Sequence, residues 1–168
     1  MMLRPLLRRA STIVPALAWL ALPVALGAQS GQAAPSDSAA VASVLRRFLT
    51  AFENLDAEPF RAAFADSATV FHPAANMPQR VTGRVAIDST FRAVFADVRA
   101  HATGGPPFQH LTPVDLRIQP LAPGVVLVTF ELRNSERLGR RTIVFRRESA
   151  GWRIVHLHAS NIATPRSR

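Results

Sequence analysis

The chain has no cysteine among its 168 residues. That absence excludes a disulfide framework, a thiolate metal site, a cysteine nucleophile and a lipidated amino-terminal cysteine. Lysine is missing too: all 20 basic residues are arginine, against 11 acids, for a formal net charge of +9. There is no Gly-rich phosphate loop and no nucleophile elbow. No apolar run reaches the roughly 20 residues of a membrane-spanning helix. The longest, over residues 13–26, is interrupted by Pro15 and Pro23. Only 18% of residues are charged while 48% are hydrophobic, which excludes a mostly disordered chain. The length suits one domain.

Residues 1–28 have the three parts of a secretory signal: Arg4, Arg8 and Arg9, then the apolar run, then the small pair Gly27 and Ala28. No acid precedes Asp37. A bacterial-type export signal predicts a periplasmic or secreted protein, with no membrane attachment once the signal is removed. Cleavage near Ala28 removes three arginines and no acid, lowering the charge to about +6. The remaining arginines are spread from Arg46 to Arg168 without a basic helix or an aromatic-basic ladder, so nucleic acid is not an expected partner. Residues 29–35 read as a flexible leader, 36–163 as the folded domain, and 164–168 as a disordered tail.

Within the domain, Val41, Val44, Leu45, Phe48, Leu49, Phe52 and Leu55 recur at three- and four-residue spacing, predicting a helix capped by Ser36 or Asp37. A short second helix follows, with Asp56 as cap and Pro59 in its first turn. Residues 68–72 read as a strand stopped by Pro73. A third helix is expected over about 85–100, with Ile87, Phe91, Val94, Phe95 and Val98 as its stripe, ended by Gly104-Gly-Pro-Pro107. Four strands then alternate with turns, near 114–119, 125–133, 140–147 and 152–160. The fold class is α+β: three N-terminal helices packed on a curved, mainly antiparallel sheet.

Even-numbered turns at 134–139 and 148–151 set Phe130 opposite Ile143, Phe145 opposite Ile154, Ile143 opposite His156 and Arg141 opposite His158. One sheet face then collects Phe130, Ile143, Phe145 and Trp152 together with Arg141, His156 and His158. It is the more apolar face and should lie under the helices. Burying three ionisable groups there is costly without partners, which argues for a cavity at one end of the sheet. The other face presents Leu127, Val144, Val155 and Leu157, a plausible surface for a homodimer.

The segment Trp152-Arg-Ile-Val-His-Leu-His-Ala-Ser160, closing a strand meander that follows an amphipathic first helix, resembles the SnoaL-like branch of the nuclear transport factor 2-like (NTF2-like) superfamily. Gly83-Arg-Val-Ala-Ile87 at the start of the third helix fits the same pattern, and the chain's ending is similar to that of the association domain of calcium/calmodulin-dependent kinase II. The resemblance spans about 36–162. It implies a cone-shaped α+β fold in which helices and a bent sheet enclose a pocket. Relatives of this kind include ketosteroid isomerases, polyketide cyclases, dehydratases and oligomerisation domains, so the fold alone does not choose a function.

His156 and His158 would lie about 6.6 Å apart along one strand, two residues at roughly 3.3 Å each. Three roles compete: structural hydrogen bonding, lining a ligand pocket with Arg141, or metal ligation. The last needs a third ligand, for which His72 is the obvious candidate, and no carboxylate pattern supports it. No metal or cofactor is expected. Binding of a small, partly apolar molecule, an acidic one included, is the leading function. Arg141, His72, Trp152, Phe130, Phe145 and Ile143 would contact it. One alternative is a lyase- or isomerase-type enzyme in which His156 or His158 abstracts a proton next to a carbonyl while Arg141 holds the oxyanion. Another is an oligomerisation or partner-binding module without catalysis.

Overall fold

A computed structural model describes residues 36–73, 77–133 and 137–163. The signal and leader expected over 1–35, and the tail expected over 164–168, lie outside the described residues. Ser36 opens the first helix, α1 (Asp37–Glu53), its hydroxyl accepting from the Ala39 N–H at 3.3 Å. The predicted stripe is the buried one: Val41, Leu45, Phe48 and Leu49 all face the core. Helix α2 (Ala57–Ala62) starts at Asp56, whose side chain makes no capping hydrogen bond. Helix α3 (Arg84–His101) follows Gly83, which sits at a φ of 90° that a side chain would oppose, and buries Ile87, Phe91 and Phe95.

The sheet differs from expectation at its first strands. Strand β1 (Phe64–Phe71) begins four residues before the predicted start, because Asp66 and Ser67 are accommodated, exposed, at an irregularity between Phe64 and Thr69. A three-residue strand, β2 (Arg80–Thr82), pairs with β1 in the stretch between Pro73 and the third helix, where the sequence shows no strand pattern. It is too short to show a period. Strands β3 (Val114–Ala122), β4 (Val125–Arg133), β5 (Arg137–Glu148) and β6 (Gly151–Ala163) form the expected antiparallel meander. Pro120 is tolerated inside β3 because β3 is an edge strand. The order is β2-β1-β6-β5-β4-β3, with β1 parallel to β6, so the sheet is mixed, curved and open.

Register decides which residues face the helices. Between β4 and β5 the pairs are Val128–Ile143 and Phe130–Arg141, two residues displaced from the expected pairing. An even slip preserves side-chain parity, so Val126, Val128, Phe130, Ile143 and Phe145 stay on the covered face. Between β5 and β6 the expected pairs Arg147–Trp152 and Phe145–Ile154 form, and then a bulge intervenes. Val155 is the extra residue. Beyond it Val144 pairs with His156, Ile143 with Leu157, Thr142 with His158 and Arg141 with Ala159. Everything after the bulge has changed face.

Under the covered face, six phenylalanines form one cluster. Phe60 is its centre, with ring centroids 5.2 Å from Phe48, 5.7 Å from Phe52, 5.2 Å from Phe64, 4.7 Å from Phe91 and 5.2 Å from Phe95. One residue of a six-residue helix thus joins α1, α2, α3 and β1. Outside this core, Arg92 bridges Glu58 of α2 and Asp88 of α3. Exposed ion pairs of that kind contribute little, and the rings carry the stability. Phe60→Ala should therefore lower unfolding free energy by about 3–5 kcal/mol in urea titrations. Val85→Ala, on the surface, should stay within about 0.5 kcal/mol of the parent.

Candidate functional site

Between the covered sheet face and the helices lies a cavity of about 180 Å³. Phe48 and Phe52 of α1, Phe60 of α2 and Phe91 of α3 line its helical side; Phe130, Ile143, Leu157 and Ala159 line its sheet side. Three polar residues line it: Arg141 from β5, His72 just beyond β1, and Gln109 from the connection between α3 and β3. A volume below the roughly 300–1,000 Å³ of pockets for drug-sized ligands suits a much smaller occupant. An engineered apolar cavity of about 150 Å³ takes up benzene.

Arg141 is held from one side only. Its Nη1 donates to the carbonyls of Arg140 at 2.8 Å and Ser160 at 3.1 Å, and to Asn161 Oδ1 at 3.4 Å. The guanidinium lies over Gly139: a β-carbon there would stand 3.0 Å from Nη1 and 3.1 Å from Nη2. Glycine at 139 is what lets the planar group lie flat on the strand. Among the described residues no carboxylate pairs with Arg141, and Nε and Nη2 have no protein acceptor. Burial pushes its pKa below the usual guanidinium value, yet so strongly basic a group remains cationic. The cavity therefore contains a permanent positive charge with two donors to spare.

His72 lies beside it in electrostatic reach. Its ring packs edge-on against Phe91 with centroids 5.7 Å apart. Burial first, and the Arg141 charge second, hold its pKa below the ordinary 6.5, so the imidazole is neutral at pH 7. Because the folded value is the lower one, this histidine's stabilising contribution is complete above about pH 6.5. It is lost as pH falls through the depressed value.

The sequence-predicted residues separate into three groups. Arg141, His72, Phe130 and Ile143 line the cavity. Phe145 and Trp152 lie on the same sheet face but are buried away from it, and Trp152 carries the Arg147 guanidinium 5.0 Å above its ring. His156 and His158 are on the opposite face, where both pack against Phe71 at centroid distances of 5.7 and 5.6 Å. That corrects the expected arrangement: the pairing of Ile143 with His156 assumed an unbroken register, and the bulge at Val155 turns the two histidines outward. Leu157, assigned to the outer association surface, moves inward for the same reason and is 7% exposed. His72 is consequently separated from the other two by the thickness of the sheet. Among the described residues, no group of three metal-ligating side chains is assembled. Gln109, Gly139, Asn161 and the helical rings were not anticipated at the site. The ring positions were legible as helix stripes, whereas nothing local marks Gln109.

The profile of the SnoaL-like domain matches residues 41–165. The chain belongs to the SnoaL-like domain family. Solved structures share the NTF2-like architecture of that family. An NTF2-like protein of unknown function from Pseudomonas putida KT2440 is similar at 17% identity and TM-score 0.61, covering 73% of this chain and 84% of its own. A candidate dehydratase of the NTF2-like family from Streptomyces avermitilis is similar at 20% identity and TM-score 0.61, covering 76% and 97%. A candidate calcium/calmodulin-dependent protein kinase type II association domain from Thiobacillus denitrificans is similar at 25% identity and TM-score 0.56, covering 72% and 94%. No curated protein matches the chain.

In this SnoaL-like domain the pairing of a cation with a neutral base in an apolar hollow can do two things. The guanidinium can hold an anion, and the imidazole can accept a proton from whatever the guanidinium holds. The two groups are electrostatically linked, which gives a direct check by NMR titration of the His72 ring. Its midpoint should lie below 6.5. Arg141→Met should raise that midpoint without restoring the ordinary value, because burial is the larger cause.

Proposed function

We propose that this protein, once exported, binds a small carboxylic acid with a compact apolar or aromatic body. The observation that carries the reading is Arg141, a guanidinium with two unengaged donors and no carboxylate partner among the described residues, facing a hollow otherwise lined by phenyl and aliphatic groups. An apolar cavity alone would accept any small hydrocarbon. A cation inside it adds an orientation, because leaving the guanidinium desolvated is costly and a bidentate carboxylate offsets that cost. The limited volume favours an acid about the size of benzoate over a steroid.

Benzoate is a suitable probe. Arg141→Met should weaken its binding roughly ten- to hundredfold, the equivalent of a charge-assisted hydrogen bond of about 1.5–3 kcal/mol. Arg141→Lys should restore only part of the loss, since a point charge lacks the guanidinium fork. An anion beside His72 stabilises its imidazolium, so binding takes up a proton. Affinity should accordingly rise as pH drops below about 7 and turn over near the acid's own pKa of about 4. Calorimetry in buffers of different ionisation enthalpy reads that proton directly. An affinity indifferent to Arg141 refutes the reading.

A second reading rests on His72. A neutral imidazole beside a guanidinium is the arrangement required to take a proton next to a carbonyl while the oxyanion is held. It places the base on His72, with His156 and His158 uninvolved. Incorporation of solvent deuterium next to the carbonyl of a small aryl keto acid, lost in His72→Ala but retained in His156→Ala, would support enzyme action; no incorporation leaves binding as the function.

A further inference from the structure

We propose that Glu53 is the positioning residue of the cavity: it fastens the segment 108–111 across the end of α1, so that Gln109 and Leu111 close the end of the cavity that holds Arg141. The ligand class rests on the acid-binding reading above, while the fastening itself does not depend on it.

Three backbone N–H groups converge on this one residue. Phe108 and Gln109 donate to the Glu53 carbonyl at 2.8 and 3.3 Å, and Leu111 donates to its carboxylate at 2.7 Å. The segment has no strand or helix of its own and is preceded by the exposed run 102–107, so these contacts supply the order that a ladder would otherwise give. Both Gln109 and Leu111 then line the cavity.

The location follows from register. The segment leads into β3, whose Val114 pairs with Glu131 of β4. The next residue, Leu132, also lines the cavity and pairs with Gly139, on which the Arg141 guanidinium lies. Segment 108–111 therefore passes the Arg141 end of the hollow. Gln109 is the third polar residue there, and a carboxamide can donate to a second oxygen of an acid held by Arg141.

The end of α1 breaks two local preferences. Glu53 is the last residue of the helix, where the dipole disfavours a negative charge. Leu55, fully buried, adopts a φ of 58°, a left-handed conformation that a β-carbon opposes. Arg99 of α3 donates to the Leu55 carbonyl at 2.6 Å and stands 6.0 Å over the Phe108 ring. Local rules broken at one place, with long-range partners converging on it, mark a built junction and not an ordinary helix end.

The test compares Glu53→Ala, which removes the carboxylate acceptor of Leu111 and keeps the backbone carbonyl, with Glu53→Gln, whose carboxamide oxygen can still accept from Leu111. Amide hydrogen exchange is measured without any ligand, and benzoate association and dissociation by stopped flow. Glu53→Ala should speed exchange at Leu111 at least tenfold while amides of β5 and β6 keep their protection. It should speed benzoate dissociation by a similar factor, and Glu53→Gln should restore both. Unchanged Leu111 exchange in Glu53→Ala overturns the proposal, as does a uniform rise across the sheet, which reports global destabilisation instead. Failure of benzoate to bind the parent protein overturns the acid-binding reading but leaves the exchange comparison to decide the role of Glu53.

Discussion

Strand β6 carries one residue more than β5 can match, and the bulge at Val155 that absorbs it determines what the cavity is made of. Before the bulge, Trp152 and Ile154 point to the core. After it, Leu157 and Ala159 do, while His156 and His158 point out. An unbroken register would have placed two imidazoles beside the Arg141 guanidinium under the helices. Three ionisable groups in one sheltered space is an expensive arrangement, and an extra residue in a strand is a cheap way of avoiding it.

With the histidines removed, the polarity of the hollow is set by few groups. Arg141 is anchored by oxygens of the last two strands and lies on Gly139, so among the described residues its position is decided by the sheet and not by a counter-ion. Burial depresses the pKa of both Arg141 and His72, but with opposite results near neutrality. The guanidinium starts so basic that it stays charged, and the imidazole starts close enough to neutral pH that it does not. A fixed cation beside a neutral acceptor is thus a consequence of burial acting on two different side chains. The phenylalanine cluster around Phe60 supplies the low-polarity surroundings in which that difference matters.

Much of the architecture was legible in the chain. Spacing of apolar residues located all three helices within a few residues, and alternation located the last four strands, because both signals arise from neighbours along the sequence. The resemblance to SnoaL-like domains carried the overall fold, and the family match agrees with it. The bulge also left a trace. Apolar inward positions run 152, 154, 157 and 159, a step of three interrupting steps of two, and that step is the extra residue. It is visible once burial is known, but Val155 and Leu157 fit the opposite face equally well by hydrophobicity alone. Strand β2 and the role of Gln109 left no trace of this kind, since one is three residues long and the other belongs to an irregular connection.

The sequence by itself determined the three helices, the last four strands, the fold class, the family and the presence of Arg141, Phe130 and Ile143 on the covered face. The family follows from the resemblance of the closing segment, and the rest from local periodicity and from parity, which survives any even slip of register. Tertiary structure alone decided that His72 and not His156 or His158 reaches the cavity, and that Gln109 joins it. Those outcomes depend on which residue opposes which across a bulged ladder and on where an unpaired segment docks. Both are settled by packing between elements far apart in the chain, where no local pattern can specify them.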